Sequence, residues 1–216
     1  MKKIHWLLSL LLMVSALANA QTDNKLLYGS EKVVWCGLDY SKVKCIGAEG
    51  FTDPDNIVDT YFNGWNKLVQ SEATRYDVKK LYGFEGKVTD LSVVEKRNEM
   101  PKADDLVIDD SYSFEDGTVE EIISTYKLEK ADSGLGLVYI FESLNKTEQA
   151  AHVYVVFFDI ASKKILWSNK YEAKAGGFGF RNYWARTVLE AMEESGDVYS
   201  KEKKKFEKEN YKLSRA

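Results

Sequence analysis

Few residues of this chain are equipped for reaction chemistry. Past its first twenty positions it holds one histidine, His152, two cysteines, Cys36 and Cys45, and an acid-rich stretch between Asp104 and Asp116. A Ser-His-Asp or Cys-His arrangement would have to use His152, which heads the run Val153-Tyr154-Val155-Val156-Phe157-Phe158. Six consecutive β-formers imply a buried strand, so a histidine satisfied within a sheet is the plainer reading. The acids Asp104, Asp105, Asp109, Asp110, Glu115 and Asp116 lack the Asp-x-Asp-x-Asp-Gly order of a calcium loop and read as a solvated segment. There is no Gly-x-Ser-x-Gly elbow, no Walker loop and no His-Glu-x-x-His motif. Two carboxylates suffice for glycoside hydrolysis, but spacing alone picks no pair from the 34 acids. No catalytic residue, metal ligand or cofactor is therefore assigned, and a carboxylate hydrolase ranks last among the readings.

Two further features have chemical potential. Gly176-Gly177-Phe178-Gly179 precedes a helical pattern, and free N–H groups at a helix start, with Arg181 and Asn182 beside them, can contact an anion or a partner. The dinucleotide fingerprint requires a third glycine where Asn182 stands, and a turn that lets aromatic side chains pack is the simpler use. Cys36 and Cys45 are eight residues apart, which excludes a Cys-x-x-Cys redox motif; a structural disulfide and two free thiols both remain open. Two thiols fall short of the four ligands of a structural zinc site.

The elements that must position these residues begin after a leader. Lys2 and Lys3, the apolar run from Ile4 to Val14 and Ala18-Asn19-Ala20 predict a signal peptide over 1–20, too short in its apolar part to span a membrane. Its removal takes two lysines and no acid, moving the formal charge from -4 to -6 and leaving no transmembrane segment. An acidic chain of this kind disfavours nucleic acid and has no general attraction to anionic lipid. At 44% hydrophobic and 30% charged, residues 21–198 read as a single globular domain, and 199–216 as a charged, exposed C-terminal tail.

Strands are predicted over Lys32–Asp39, Lys87–Glu95, Leu135–Leu144, Ala151–Ile160 and Lys164–Ala173, with a brief one at 106–108. The last three are joined by turns too short for a parallel crossover and must be antiparallel neighbours. One helix starts at Asp53-Pro54 and carries Ile57, Val58, Tyr61, Phe62, Trp65, Leu68 and Val69 on one side. A second begins at a capping box, Thr118-Val119-Glu120-Glu121, and a third runs from Phe180 to Ser195-Gly196, where glycine can close it. The expected fold is α+β: a two-layer sandwich with a mainly antiparallel five-stranded sheet and about three helices on one face.

This order of elements, with the hairpin Phe158-Asp159-Ile160-Ala161-Ser162-Lys163-Lys164-Ile165-Leu166-Trp167, resembles small periplasmic α/β domains of bacterial exported proteins and lipoproteins. More distantly it resembles the amino-terminal domain of TolB and the curli secretion component CsgG. The resemblance implies a periplasmic or secreted, non-enzymatic protein that binds another envelope protein. The chain departs from those families in having no lipid-attachment cysteine after the leader and no propeller. A small-molecule pocket between helices and sheet is the alternative.

Overall fold

The computed structural model describes residues 22–215, so the leader expected over 1–20 lies outside the described residues. Strand β5 (Leu135–Asn145) is buried along its whole length and organises the sheet. Strands β6 (Ala150–Asp159) and β7 (Ile165–Lys174) follow it as an antiparallel meander. The meander forms where the sequence predicts it because both turns carry their own chemistry. The Asn145 side chain accepts from Glu148 N at 3.1 Å, and Asp159 accepts from Ala161 N at 3.0 Å and Ser162 Oγ at 2.7 Å.

On its other side β5 is parallel to its neighbours. It pairs first with β1 (Lys32–Asp39) and then with the short β2 (Lys44–Ile46); β1 pairs in turn with β3 (Gly86–Thr89), and β2 with β4 (Val107–Ile108). The expected mainly antiparallel five-stranded sheet is thus corrected. Among the described residues there are seven strands, and four of the six strand pairings are parallel. β1 and β2 run along β5 one after the other, parted by a turn in which Val43 N donates to Tyr40 O. Parallel pairing demands long crossovers, and the helical segments between β1 and β5 supply them.

Those crossovers also cover both faces, which overturns the two-layer arrangement with helices on one side. Phe157 and Phe158 point to opposite faces of β6. Phe157 packs on Tyr82 and Tyr199, whereas Phe158 meets Tyr126, just past helix α6 (Thr118–Ser124). A helix over 22–29, α1, lies against the last helix, with Tyr28 between Tyr199 and Phe206.

Helix α2 occupies 54–71 in three registers: Pro54–Asn56, a π-helical stretch Ile57–Phe62, and α-helical Asn63–Ser71. Asp53 caps it as expected, accepting from Asn56 N at 3.2 Å, with Pro54 in the first turn. Three shorter helices follow: α3 (Val78–Tyr82), α4 (Ser92–Arg97) and α5 (Ala103–Leu106). The strand expected over Lys87–Glu95 ends at Thr89, where Asp90 accepts from Ser92 N and Oγ and turns the chain into α4. Thr118 does not form a capping box; left-handed Gly117 precedes α6 without a side-chain cap.

The last helix, α7, runs from Phe180 to Leu213 and absorbs both the expected stop at Gly196 and the expected tail. Gly196 is there for contact rather than termination: a Cβ would sit 3.0 Å from Leu81 O, so glycine lets α7 press against α3. Tyr82, Tyr139 and Ser195 join beneath it in a buried hydroxyl cluster between helix and sheet.

Candidate functional site: an aromatic groove at the start of α7

Three adjoining depressions of about 180, 320 and 580 Å³ form a groove beside the start of α7. Gly50 and Phe180 are shared by the first two, Glu49 and Lys146 by the last two. The π-helical stretch of α2 places Ile57 and Tyr61 in one wall, and such turns recur at functional sites. Tyr61 lies 4.7 Å from the Phe180 ring, and Trp65 Nε1 donates to Arg181 O at 2.9 Å, fixing α2 to the first turn of α7. Phe51 stacks on Trp184 at 5.3 Å and meets Phe180 edge-on at 6.0 Å, while Lys146 Nζ sits 4.3 Å over the Tyr183 ring. Close approach at Gly50 is obligatory, since a Cβ there would be 2.5 Å from Lys146 Cγ.

The glycine block forms the lip. Gly177 and Gly179 both take positive φ, 107° and 80°, and between them Phe178 is 95% exposed. Behind the lip Gly176 N donates to Tyr183 O at 3.0 Å. Buried in the adjoining turn of α7, Tyr183 Oη and Trp184 Nε1 have no hydrogen-bond partner.

Arg181 and Asn182 lie exposed on the first turn of α7, outside the groove walls. Asn182 Nδ2 donates to Phe178 O at 3.2 Å and its Oδ1 accepts from Arg181 Nε at 3.3 Å, so both side chains brace the lip. The reading of the block as a turn that packs aromatics describes Phe180 and Trp184 well, but it misses Phe178, which packs on nothing.

The cysteines are not brought together. Cys36 sits in β1 beside Leu137 and Val138, whereas Cys45 in β2 is opposite Leu144. Some seven residues of the same strand separate them, roughly 20 Å at ~3.3 Å per residue. Both are free and buried, and the disulfide reading is corrected. Burial pushes both thiols well above their ordinary range, against reactivity. His152 Nδ1 meets Ser143 Oγ across the strands at 3.0 Å, a partner within the sheet. Among the described residues no group of three or more His, Cys, Asp or Glu converges in a way that could hold a metal ion. In the acidic stretch Asp109 instead accepts from Ala48 N at 3.3 Å.

Two buried charge clusters escape sequence reading. Asp39 ends β1 fully buried; its Oδ2 accepts from Arg97 Nε at 2.8 Å and Tyr126 Oη at 2.6 Å, and its Oδ1 from Ser41 N at 2.8 Å. Desolvation first, then the Asp39 charge, raises the Tyr126 hydroxyl well above its usual value. Glu142, the extra residue in the β5 bulge, accepts from Phe114 N at 2.7 Å and faces the Lys170 ammonium. An acid closing an apolar run, as Asp39 does, is the only sequence sign of either cluster. Asp39 is held by three donors, whereas Glu142 has a single hydrogen bond and the Lys170 ion pair, its buried Oε2 having no hydrogen-bond partner.

Comparison of the chain with protein-family models, with curated proteins and with solved structures gives no match.

Proposed function

We propose that the chain is an exported, non-enzymatic binding protein of the cell envelope that engages another protein through the groove at the start of α7, with Phe178 as its anchor. The observation that carries this reading is the 95% exposure of Phe178 between two positive-φ glycines, next to a groove already lined by aromatic rings. An aromatic side chain held out at a rim is the residue type that dominates protein interfaces once it enters a partner's pocket. The leader-like start supports the envelope address. On the sheet face under α3 and α7, the space where a small ligand would otherwise sit is occupied by the Tyr82, Tyr139 and Ser195 cluster.

The test is capture from native envelope by the chain from Gln21 onward, run beside its Phe178→Ala variant. A protein recovered by the parent and lost with Phe178→Ala is the expected result. Equal recovery by both removes Phe178 and the groove from the binding surface.

A further inference from the structure

We propose that the C-terminal end of α7 is a docking surface for anionic lipid, formed by a stripe of lysines on the helix face turned away from the domain. α7 continues past its contacts with the body: Tyr199 and Phe206 face Tyr28, and Glu202 accepts from Tyr28 Oη and Trp167 Nε1. At 100° per residue, Lys201, Lys204, Lys205, Lys208 and Lys212 fall within a 100° arc on the side opposite Phe206. All five are exposed, and none joins an ion pair among the described residues.

An ordinary solvated helix face interleaves its signs, because Glu and Lys at i,i+4 support a helix and like charges there weaken it. Here 201 and 205, 204 and 208, and 208 and 212 are all lysine pairs at that spacing; Asp197, four residues before Lys201, is the acid at the head of the arc, and Glu202, Glu207 and Glu209 lie beside it. The three lysine pairs repel one another along the helix, and an anionic surface that meets all five charges together relieves that repulsion. Such a surface is planar rather than a wrapped polymer. Residues 201–215 hold seven basic and three acidic side chains, so against a total of -4 the remainder of the chain stands at -8. That body would repel a nucleic acid lying along it, whereas a plane touching the outer face of the helix is parted from the body by about one helix diameter, ~10 Å, more than the ~8 Å Debye length. Lysines also suit diffuse interfacial attraction better than the forked phosphate contacts typical of arginine. The net charge, which argues against general lipid attraction, averages this local stripe away. The stripe begins 21 residues beyond Phe180, roughly 30 Å along the helix, and is independent of the groove.

The experiment is sedimentation of the chain from Gln21 onward with vesicles of three parts phosphatidylcholine to one part phosphatidylglycerol, and with pure phosphatidylcholine, at low and at half-molar salt. Binding to the anionic vesicles alone, lost at high salt, is expected. Each lysine near such a surface contributes about fivefold in affinity, so Lys204→Gln/Lys205→Gln/Lys208→Gln should bind about a hundredfold more weakly. Gln has nearly the helix propensity of Lys, and an unchanged circular dichroism spectrum verifies that the variant is folded. Phe178→Ala should bind vesicles like the parent, which separates this surface from the groove. Absence of binding at low salt, equal binding to neutral vesicles, an unaffected triple variant, or tighter binding to a DNA duplex would each overturn the proposal.

Discussion

Asp39 shows how much of this protein's polarity serves the fold. Its carboxylate is sealed at the end of β1, and three donors from distant parts of the chain converge on it. Asp39→Ala would leave the largely buried Arg97 and the Tyr126 hydroxyl without their partner, and is expected to cost about 3 kcal/mol in urea unfolding. Asp90 behaves differently. Burial works against its charge, but donation from Ser92 and from the backbone N–H groups of Lys130 and Glu129 prevails and holds its carboxyl below the usual range. A depressed folded value means stability present above the unfolded value and lost as pH falls through the folded one. Unfolding measured below about pH 4 should therefore show a steeper loss for the parent than for Asp90→Asn. Neither role was legible in the sequence, because a buried acid and a loop acid look alike until the donors folded around them are known. Phe178 could have been suspected from its flanking glycines, but nothing in the residue types tells an exposed phenylalanine from one tucked inward.

Among the elements, the antiparallel meander was legible because each strand selects its neighbour through a short turn of recognisable chemistry. The pairings of β1 with β3 and β5 were not, since parallel partners lie some fifty and a hundred residues away in sequence. Gly37 registers that hidden geometry. It takes φ of 94° at the β1 irregularity, and a Cβ would fall 2.5 Å from Asn66 Oδ1, 2.7 Å from Leu91 Cδ2 and 2.9 Å from Val94 Cγ2. Asn66 occupies that position to bond both Leu38 N, at 2.8 Å, and Leu38 O, at 2.9 Å. Gly37→Ala therefore meets overpacking and backbone strain together, and a loss of about 3 kcal/mol or failure to fold is expected, read by thermal melting. Within α7 the division between body and arm can be cut directly. Ending the chain after Phe206 removes, among the described residues, only exposed ones and should move the melting temperature by no more than a few degrees. Ending it after Ser195 removes Tyr199, which packs on Phe157 at 4.9 Å and donates to Leu27 O at 2.6 Å, and should abolish folding.

The molecule as a whole is built on buried rings with hydroxyls. Tyr40, Tyr82, Tyr126, Tyr139 and Tyr199 are all fully sequestered, and desolvation is the first cause raising each above its ordinary value. Cys36 and Cys45 shift the same way. Each group loses its proton more readily when unfolded, so its contribution is complete below its unfolded value and declines as pH rises beyond it. Stability should begin to fall near pH 9 as the thiols become ionisable in the unfolded chain, and steepen above pH 10, each buried tyrosine adding about 1.4 kcal/mol per pH unit. Tyrosinate absorbance followed alongside circular dichroism should show these rings titrating together with unfolding; titration in advance of it would place them in contact with water.

One further consequence comes from α7 as an uninterrupted rod. At 1.5 Å per residue its 34 residues measure roughly 50 Å, and because Gly196 presses on α3 instead of bending, the rod has no hinge at its midpoint. The helix thus acts as a spacer of constant length, setting a fixed lateral distance between the contact made by its lysine face and whatever is held at its aromatic end.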